Sequence, residues 1–215
     1  MSPELVTGLT AARVRDNLVR ARTAMADAGR DPAEVEILAA VKYIPVEQLE
    51  VLAEAGTHLV GENRAQDLLA KRERHGERFT WDFIGNLQSR KVRDVAPAVR
   101  LIHSVASDSV LSQLEHHPVR EILVQVNVAG EHDKGGVAPQ ALGEFIARSP
   151  VPVTGLSTMP PAVARAEENR PHFARLAELA AEHGLTRLSM GTSQDFAVAA
   201  SEGATIVRLG SVLYR

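Results

Sequence analysis

Lys42 closes the run EILAAV (36–41), in which five small or apolar residues precede it, and Pro45 follows closely to open the next element. At the mouth of a cavity such a lysine is partly desolvated, which disfavours its charged form. A neutral amine is the nucleophile that forms a Schiff base with an aldehyde or ketone. Two plainer roles stay open for Lys42 from the residues alone: a solvent-facing strand terminus, or a counter-charge to phosphate. Near the other end of the chain, Ser189, Gly191 and Thr192 in SMGTS (189–193) and Arg208, Gly210 and Ser211 in RLGS (208–211) combine hydroxyls, glycines and a cation. Such residues at a helix N-terminus leave backbone N–H groups facing outward, a ready anion site. Ordinary capping by Thr192 and a tight closing turn at Gly210 is the competing reading. Asn63, Asn86 and Asn127 either position a ligand or cap turns. Lys134-Gly135-Gly136 reads as a surface turn, with a lid or anion contact as the alternative, and Met159-Pro160-Pro161 as a rigid wall over a pocket.

The elements that must carry these residues recur in order. An amphipathic first helix shows Val14, Leu18, Ala21 and Met25 at helical spacing and stops near Gly29. Eight short apolar runs follow: 36–41, 57–61, 80–85, 100–104, 120–128, 151–156, 186–190 and 205–210. Helical patterns separate them, among them one opened by Pro45, one from Asn63 to about Arg74, and one beginning near Gln88. Asn169 is a cap for the helix carrying Phe173, Leu176 and Leu179, and Thr192 with Asp195 forms a capping box. The runs are too continuous for a sheet with one wet face, so parallel strands covered by helices are expected. Eight β–α units imply an α/β fold, a single (β/α)₈ TIM barrel with an extra N-terminal helix. An open doubly wound sheet competes, but Lys42-Tyr43-Ile44-Pro45 stands where its glycine-rich loop belongs. Residues 1–215 read as one domain, and in a barrel the ligand site lies at the C-terminal strand ends.

Composition removes several classes of function. Hydrophobic residues at 45% and charged ones at 24% argue against disorder. A formal net charge of −3 gives no basic excess for nucleic acid or an anionic membrane. The basic spot Lys71, Arg72 and Arg74 is interrupted by Glu73 and Glu77 and reads as a solvated helix face. No cysteine is present, which excludes disulfides, thiolate catalysis and zinc–thiolate sites. The eight histidines lack metal-ligand spacing, so no metal site is expected. The start is not a signal peptide and no run reaches the ~18 apolar residues of a membrane span, so a cytoplasmic location is expected.

Several motifs together carry a resemblance: AAVKYIP (39–45), HLVGENRAQDLLAK (58–71), WDFIGNLQSRKV (81–92), IHSVAS (102–107), VQVNVAGEHDKGG (124–136), GLSTMPP (155–161) and LSMGTSQDFAVAASEGATIVRLGSVLY (188–214). The chain resembles the pyridoxal phosphate homeostasis protein family, single-domain relatives of the alanine racemase N-terminal barrel. The resemblance implies a protein that binds pyridoxal 5′-phosphate (PLP) in intracellular vitamin B6 homeostasis. Lys42 matches the lysine that holds PLP as a reversible Schiff base. Ser189, Gly191, Thr192, Arg208, Gly210 and Ser211 match the region that holds its phosphate, and Asn63 and Asn86 flank the cofactor. The implied partners are PLP, small amino or keto acids and recipient PLP enzymes, with no dedicated turnover, no catalytic residues and a monomer. The alternative is a low-activity PLP-dependent racemase, but a two-base mechanism needs groups on both faces of the substrate. Tyr43 follows Lys42 directly along the backbone and is no obvious opposite-face partner. Three positions depart from the family pattern: Asp82 stands where histidine is usual, Ser157 where methionine is common, and Asn86 where another residue is common.

Overall fold

A computed structural model describes residues 5–131 and 135–215. The first helix, α1 (Ala11–Asp27), is capped by the Thr10 hydroxyl, which accepts from the Arg13 N–H at 3.3 Å. Its buried stripe is Val14, Asn17, Ala21 and Met25. Leu18, expected in that stripe, is only half-buried. Asn17 takes a place there because its side-chain amide donates to the carbonyls of Leu213 and Arg215, both at 3.0 Å. The extra helix thus ties down the far end of the chain.

Eight parallel strands close into a barrel in sequence order. They are β1 (Glu36–Ala40), β2 (Leu59–Glu62), β3 (Thr80–Phe83), β4 (Leu101–Val105), β5 (Ile122–Gln125), β6 (Val153–Ser157), β7 (Arg187–Thr192) and β8 (Ile206–Leu209). β8 pairs with β1, matching Leu38 to Arg208 and Ala39 to Leu209, so residues distant in sequence become neighbours at the seam. The open doubly wound alternative is excluded by this closure. The covering helices are α2 (Leu49–Glu54), α3 (Ala65–His75), α4 (Val92–Val95), α5 (Asp108–His116), α6 (Leu142–Ala147), α7 (Arg170–Glu182) and α8 (Phe196–Ser201), and the turn α9 (Ser211–Tyr214) follows β8. The helix expected from Gln88 is broken into 3₁₀ turns around the four-residue α4, with Pro97 in the second turn. Proline removes a backbone donor and cannot continue an α-helix from within.

The core has two parts. Most apolar burial lies between strands and helices. Inside the barrel, Leu38, Leu101, Leu123 and Ile206 form a small separate cluster with Leu59 and Ile84. Side chains alternate faces along a strand. His103 on β4 and Arg208 on β8, two residues beyond Leu101 and Ile206, therefore share the inner face. This interior is polar towards the mouth.

Candidate ligand-binding site at the barrel mouth

A cavity of about 570 Å³ opens at the C-terminal ends of the strands. Of the nine residues that the resemblance assigns to the cofactor site, seven line it: Lys42, Asn63, Asn86, Thr192, Arg208, Gly210 and Ser211; Met159, expected as a wall, lines it too. Ser189 and Gly191 do not. Ser189 is fully buried beneath the cavity, where its hydroxyl is held by Arg208 and His103. Gly191 is buried at φ +88, and a Cβ there would come within 2.6 Å of Ala199 Cβ and 3.0 Å of Phe196 Cα. It permits the close seating of α8 on β7 and leaves the cavity wall to its neighbours.

The two sides of the mouth differ in how they are held. Lys42, two residues past β1, is exposed, with Nζ 5.0 Å from the Tyr43 ring centroid. The desolvation expected of it is not supplied by the surrounding protein. Backbone placement is nonetheless firm. The Val41 carbonyl, which precedes Lys42, accepts from Lys71 Nζ at 2.6 Å, and Lys71 pairs with Glu62 at 2.5 Å. The other Glu62 oxygen accepts from the Asn63 N–H at 2.6 Å. One buried ion pair therefore fixes the ends of both β1 and β2. The reading of Lys71 as part of a solvated face is corrected: it is buried because its carboxylate partner is, whereas Arg72 and Arg74 are exposed. Gly85 lies where β2 and β3 approach, and a Cβ there would run into the Asn63 carbonyl.

On the closing side, Arg208 is 7% exposed. Its Nη1 donates to the Ser189 carbonyl and hydroxyl, both at 2.7 Å, and its Nη2 to the Thr158 carbonyl at 2.8 Å and Met159 Sδ at 3.0 Å. None of these partners carries a charge. Burial lowers the guanidinium pKa to about 10, with Asp195 pulling the other way. The Ser193 hydroxyl accepts from the N–H groups of Gly210 (3.0 Å) and Val212 (3.3 Å), which ties the loop after β7 to the turn after β8. Among the described residues, the N–H groups of Ser193, Gln194 and Ser211 have no protein acceptor. Arg215 also lines the cavity, and among the described residues no Asp or Glu side chain does. Three cationic side chains and unmatched N–H groups with no acidic side chain suit an anionic ligand.

The capping expectations hold only in part. Asp195 accepts from the Thr192 N–H (2.7 Å) and hydroxyl (3.1 Å), which is half a capping box. Asn169 precedes α7, but its amide turns to Asp195 at 2.8 Å and does not cap. Asn127 is half-buried in the loop after β5, bonded to Glu131. Gln125 lines the cavity and donates to the Gly135 carbonyl at 2.8 Å. Lys134 lies outside the described residues, as does His132.

Sequence reasoning missed Tyr214, Arg215, Val6, Tyr43 and Gln125 as lining residues. Tyr214 is buried, its hydroxyl donates to the Ala40 carbonyl at 3.2 Å, and burial with the nearby Glu62 pushes its pKa up. Polar residues on the inner strand face at His103 and Gln125 were a usable signal. Tyr214 and Arg215 had none, because only the turn after β8 folds them back. Asp82, one of the departures from the family pattern, is fully buried and accepts from Arg100 and His103.

A closed parallel barrel with a lysine at the mouth and a cationic closing side defines a class, the alanine racemase N-terminal type of barrel. Alanine racemase of Clostridium difficile overlays with a TM-score of 0.72 at 12% identity, covering 100% of this chain and 59% of the other, a likeness of fold alone. PipY of Synechococcus elongatus, solved with PLP bound, overlays with a TM-score of 0.79 at 28% identity, covering 94% of this chain and all of that one. The pyridoxal phosphate homeostasis protein of Aquifex aeolicus is 38% identical over 213 residues, 92% of this chain and 93% of that protein. The chain belongs to the pyridoxal phosphate homeostasis protein family. No protein-family model matches it.

Proposed function

We propose that this protein binds pyridoxal 5′-phosphate and serves intracellular PLP homeostasis, holding the cofactor covalently and reversibly through Lys42. The observation that carries the reading is the mouth cavity, with Lys42, Arg208 and Arg215 in its wall and, among the described residues, no Asp or Glu side chain lining it. The donor set fits a phosphorylated aldehyde. The N–H groups of Ser193, Gln194 and Ser211, with Arg208, would form the anion-binding end, shaped by Thr192 and Gly210, whose N–H groups are engaged by Asp195 and Ser193. Asn63 and Asn86 would flank the ring, while Ser189 and Gly191 support the closing side from beneath. When bound, the cofactor supplies an aldehyde carbon that is passed reversibly between amines. Lys42 is exposed, so a competing amine has access to it, as a carrier requires. The donors at the closing side would hold the phosphate whether or not the link to Lys42 is made.

The same geometry favours a carrier over a dedicated enzyme. Tyr214 has its hydroxyl engaged by a backbone carbonyl and its proton held by burial, a poor acid–base group at neutral pH. The reading takes residues 1–215 as one domain, a monomer of the cytoplasm that meets small amino or keto acids and recipient PLP enzymes. Among the described residues no helix is long and apolar enough to cross a membrane. The test is borohydride reduction after incubation with PLP, followed by peptide mass mapping. The expected adduct is on Lys42 and is absent in Lys42→Ala. An adduct elsewhere, or none, overturns the reading, and amino-acid turnover lost in Lys42→Ala would make the protein an enzyme.

A further inference from the structure

Barrel interiors of this class are filled mainly by branched apolar side chains in layers. Here four polar side chains from four strands share the interior and none is more than 7% exposed: Asp82, His103, Ser189 and Arg208. They form one continuous chain. Arg208 Nη1 meets Ser189 Oγ at 2.7 Å, Ser189 Oγ meets His103 Nδ1 at 2.8 Å, and His103 Nε2 meets Asp82 Oδ2 at 3.1 Å. Asp82 then takes Arg100 on both oxygens, at 3.0 and 2.7 Å, and Arg100 reaches Glu36 at 2.7 Å at the start of β1. The chain therefore runs from the cavity floor to the opposite end of the barrel.

Donor chemistry gives it a direction. A guanidinium only donates, so Ser189 Oγ accepts from Arg208 and donates its O–H to His103 Nδ1. The imidazole proton then sits on Nε2 and is donated to the Asp82 carboxylate. With neutral His103 each contact from Arg208 through Ser189 and His103 to Asp82 joins a donor to an acceptor. With charged His103 both ring nitrogens donate, Ser189 Oγ receives two donors, and its hydroxyl proton is left buried without an acceptor. An unmatched buried polar group is costly.

We infer that Asp82, His103 and Ser189 are positioning residues that hold Arg208 in the cavity floor, so the grip on a phosphorylated ligand is set from inside the barrel. The inference rests on the PLP-binding reading for its ligand. Three charged groups face His103: Asp82 on β3, Arg208 on β8 and Arg100 just before β4. Burial, with the two arginines, keeps the imidazole pKa below its ordinary 6.5 against the pull of Asp82. The relay is thus intact at neutral pH and fails on acidification.

The experiment measures PLP affinity against pH in the wild type, His103→Gln and Ser189→Ala, alongside side-chain NMR of His103 and Arg208 without ligand. Glutamine can accept and donate in the same sense as neutral histidine but cannot titrate. His103→Gln should bind like the wild type at neutral pH and lose the extra weakening that the wild type shows once the pH falls far enough below 6.5 to protonate His103; PLP's own titration is common to both. Ser189→Ala should bind about tenfold more weakly, as expected for losing a hydrogen bond to a charged group. In the wild type, His103 should be the Nε2–H tautomer, and Arg208 guanidinium protons should lose exchange protection as His103 gains its proton. A His103→Gln profile that still follows the wild type, or Arg208 protection indifferent to His103, overturns the relay. Protection that follows His103 in a protein that binds no PLP supports the relay and overturns the functional reading instead.

Discussion

β1 and β8 lie side by side, and each sends a cation to the same cavity, yet the two are held in opposite ways. Lys42 is exposed, and its one ring contact is Tyr43. Arg208 is buried, with both terminal nitrogens committed to the β6 and β7 ends. The difference matches two tasks. A group that makes and breaks a covalent link has to be reachable, so its side chain is left free and only its backbone is braced by Lys71. A group that defines the floor of a site has to stay put, so it is locked by neighbours that also forfeit freedom. Preorganisation of this kind lowers the cost of binding.

The same substitution at the two positions tests the comparison most severely. Arg208→Met leaves the Thr158 carbonyl without its side-chain donor and the Ser189 carbonyl with only the Thr158 N–H, and should destabilise the fold by about 2–4 kcal/mol. Lys42→Met should stay within about 0.5 kcal/mol. Urea unfolding measures both, and equal midpoints would erase the distinction. Gly191→Ala comes next, at about 1–3 kcal/mol, because alanine must adopt φ +88 against Ala199; thermal unfolding of that variant should show the loss without any change at Lys42.

Acidification should separate the two sides further. Burial raises the Asp82 pKa, but hydrogen bonds from His103 and Arg100 outweigh it and leave the carboxyl below its ordinary 3.8. The His103 pKa is also depressed, from 6.5, by burial. For a depressed group the unfolded chain binds more protons in the window between the two pKa values, so stability rises with pH there. His103 therefore contributes full stability above pH 6.5 and loses it as the pH falls below that value, and Asp82 does the same below pH 3.8. A melting-temperature profile that declines below pH 6.5 in the wild type and Lys42→Met, and less steeply in His103→Gln, is expected. The smallest effect belongs to Tyr43→Leu: an exposed cation–π contact is worth about 0.5–1 kcal/mol, so PLP affinity should change only about two- to fivefold.

Much of the barrel was legible because each β–α unit announces itself locally. Apolar runs such as EILAAV and the proline or glycine punctuation between them depend on neighbours in sequence. Lys42, Asn63 and Asn86 could be assigned to the rim because each follows a run. The short helices around Pro97 and the missing cap at Asn169 were less legible, since a side chain with two available partners chooses by tertiary geometry. Lys71 shows the same limit. Its sequence neighbours describe a wet face, while its burial comes from Glu62 and Val41, brought up by β1 and β2.

By itself the sequence determined the eight-unit order, the lysine at the first strand end, the hydroxyl- and glycine-rich ends of the last two, and membership in a family. These follow from periodicity and motif, which are properties of contiguous residues. Only the tertiary structure decided that Ser189 lies beneath the cavity and not in its wall, and that Tyr214 and Arg215 fold back to line it. It also decided that Asp82, His103, Ser189 and Arg208 join in one chain. Closure of the barrel brings together inward-facing residues as far apart in sequence as His103 and Ser189, separated by 86 positions. Which of them meet is set by strand register and tilt, information that no local pattern contains.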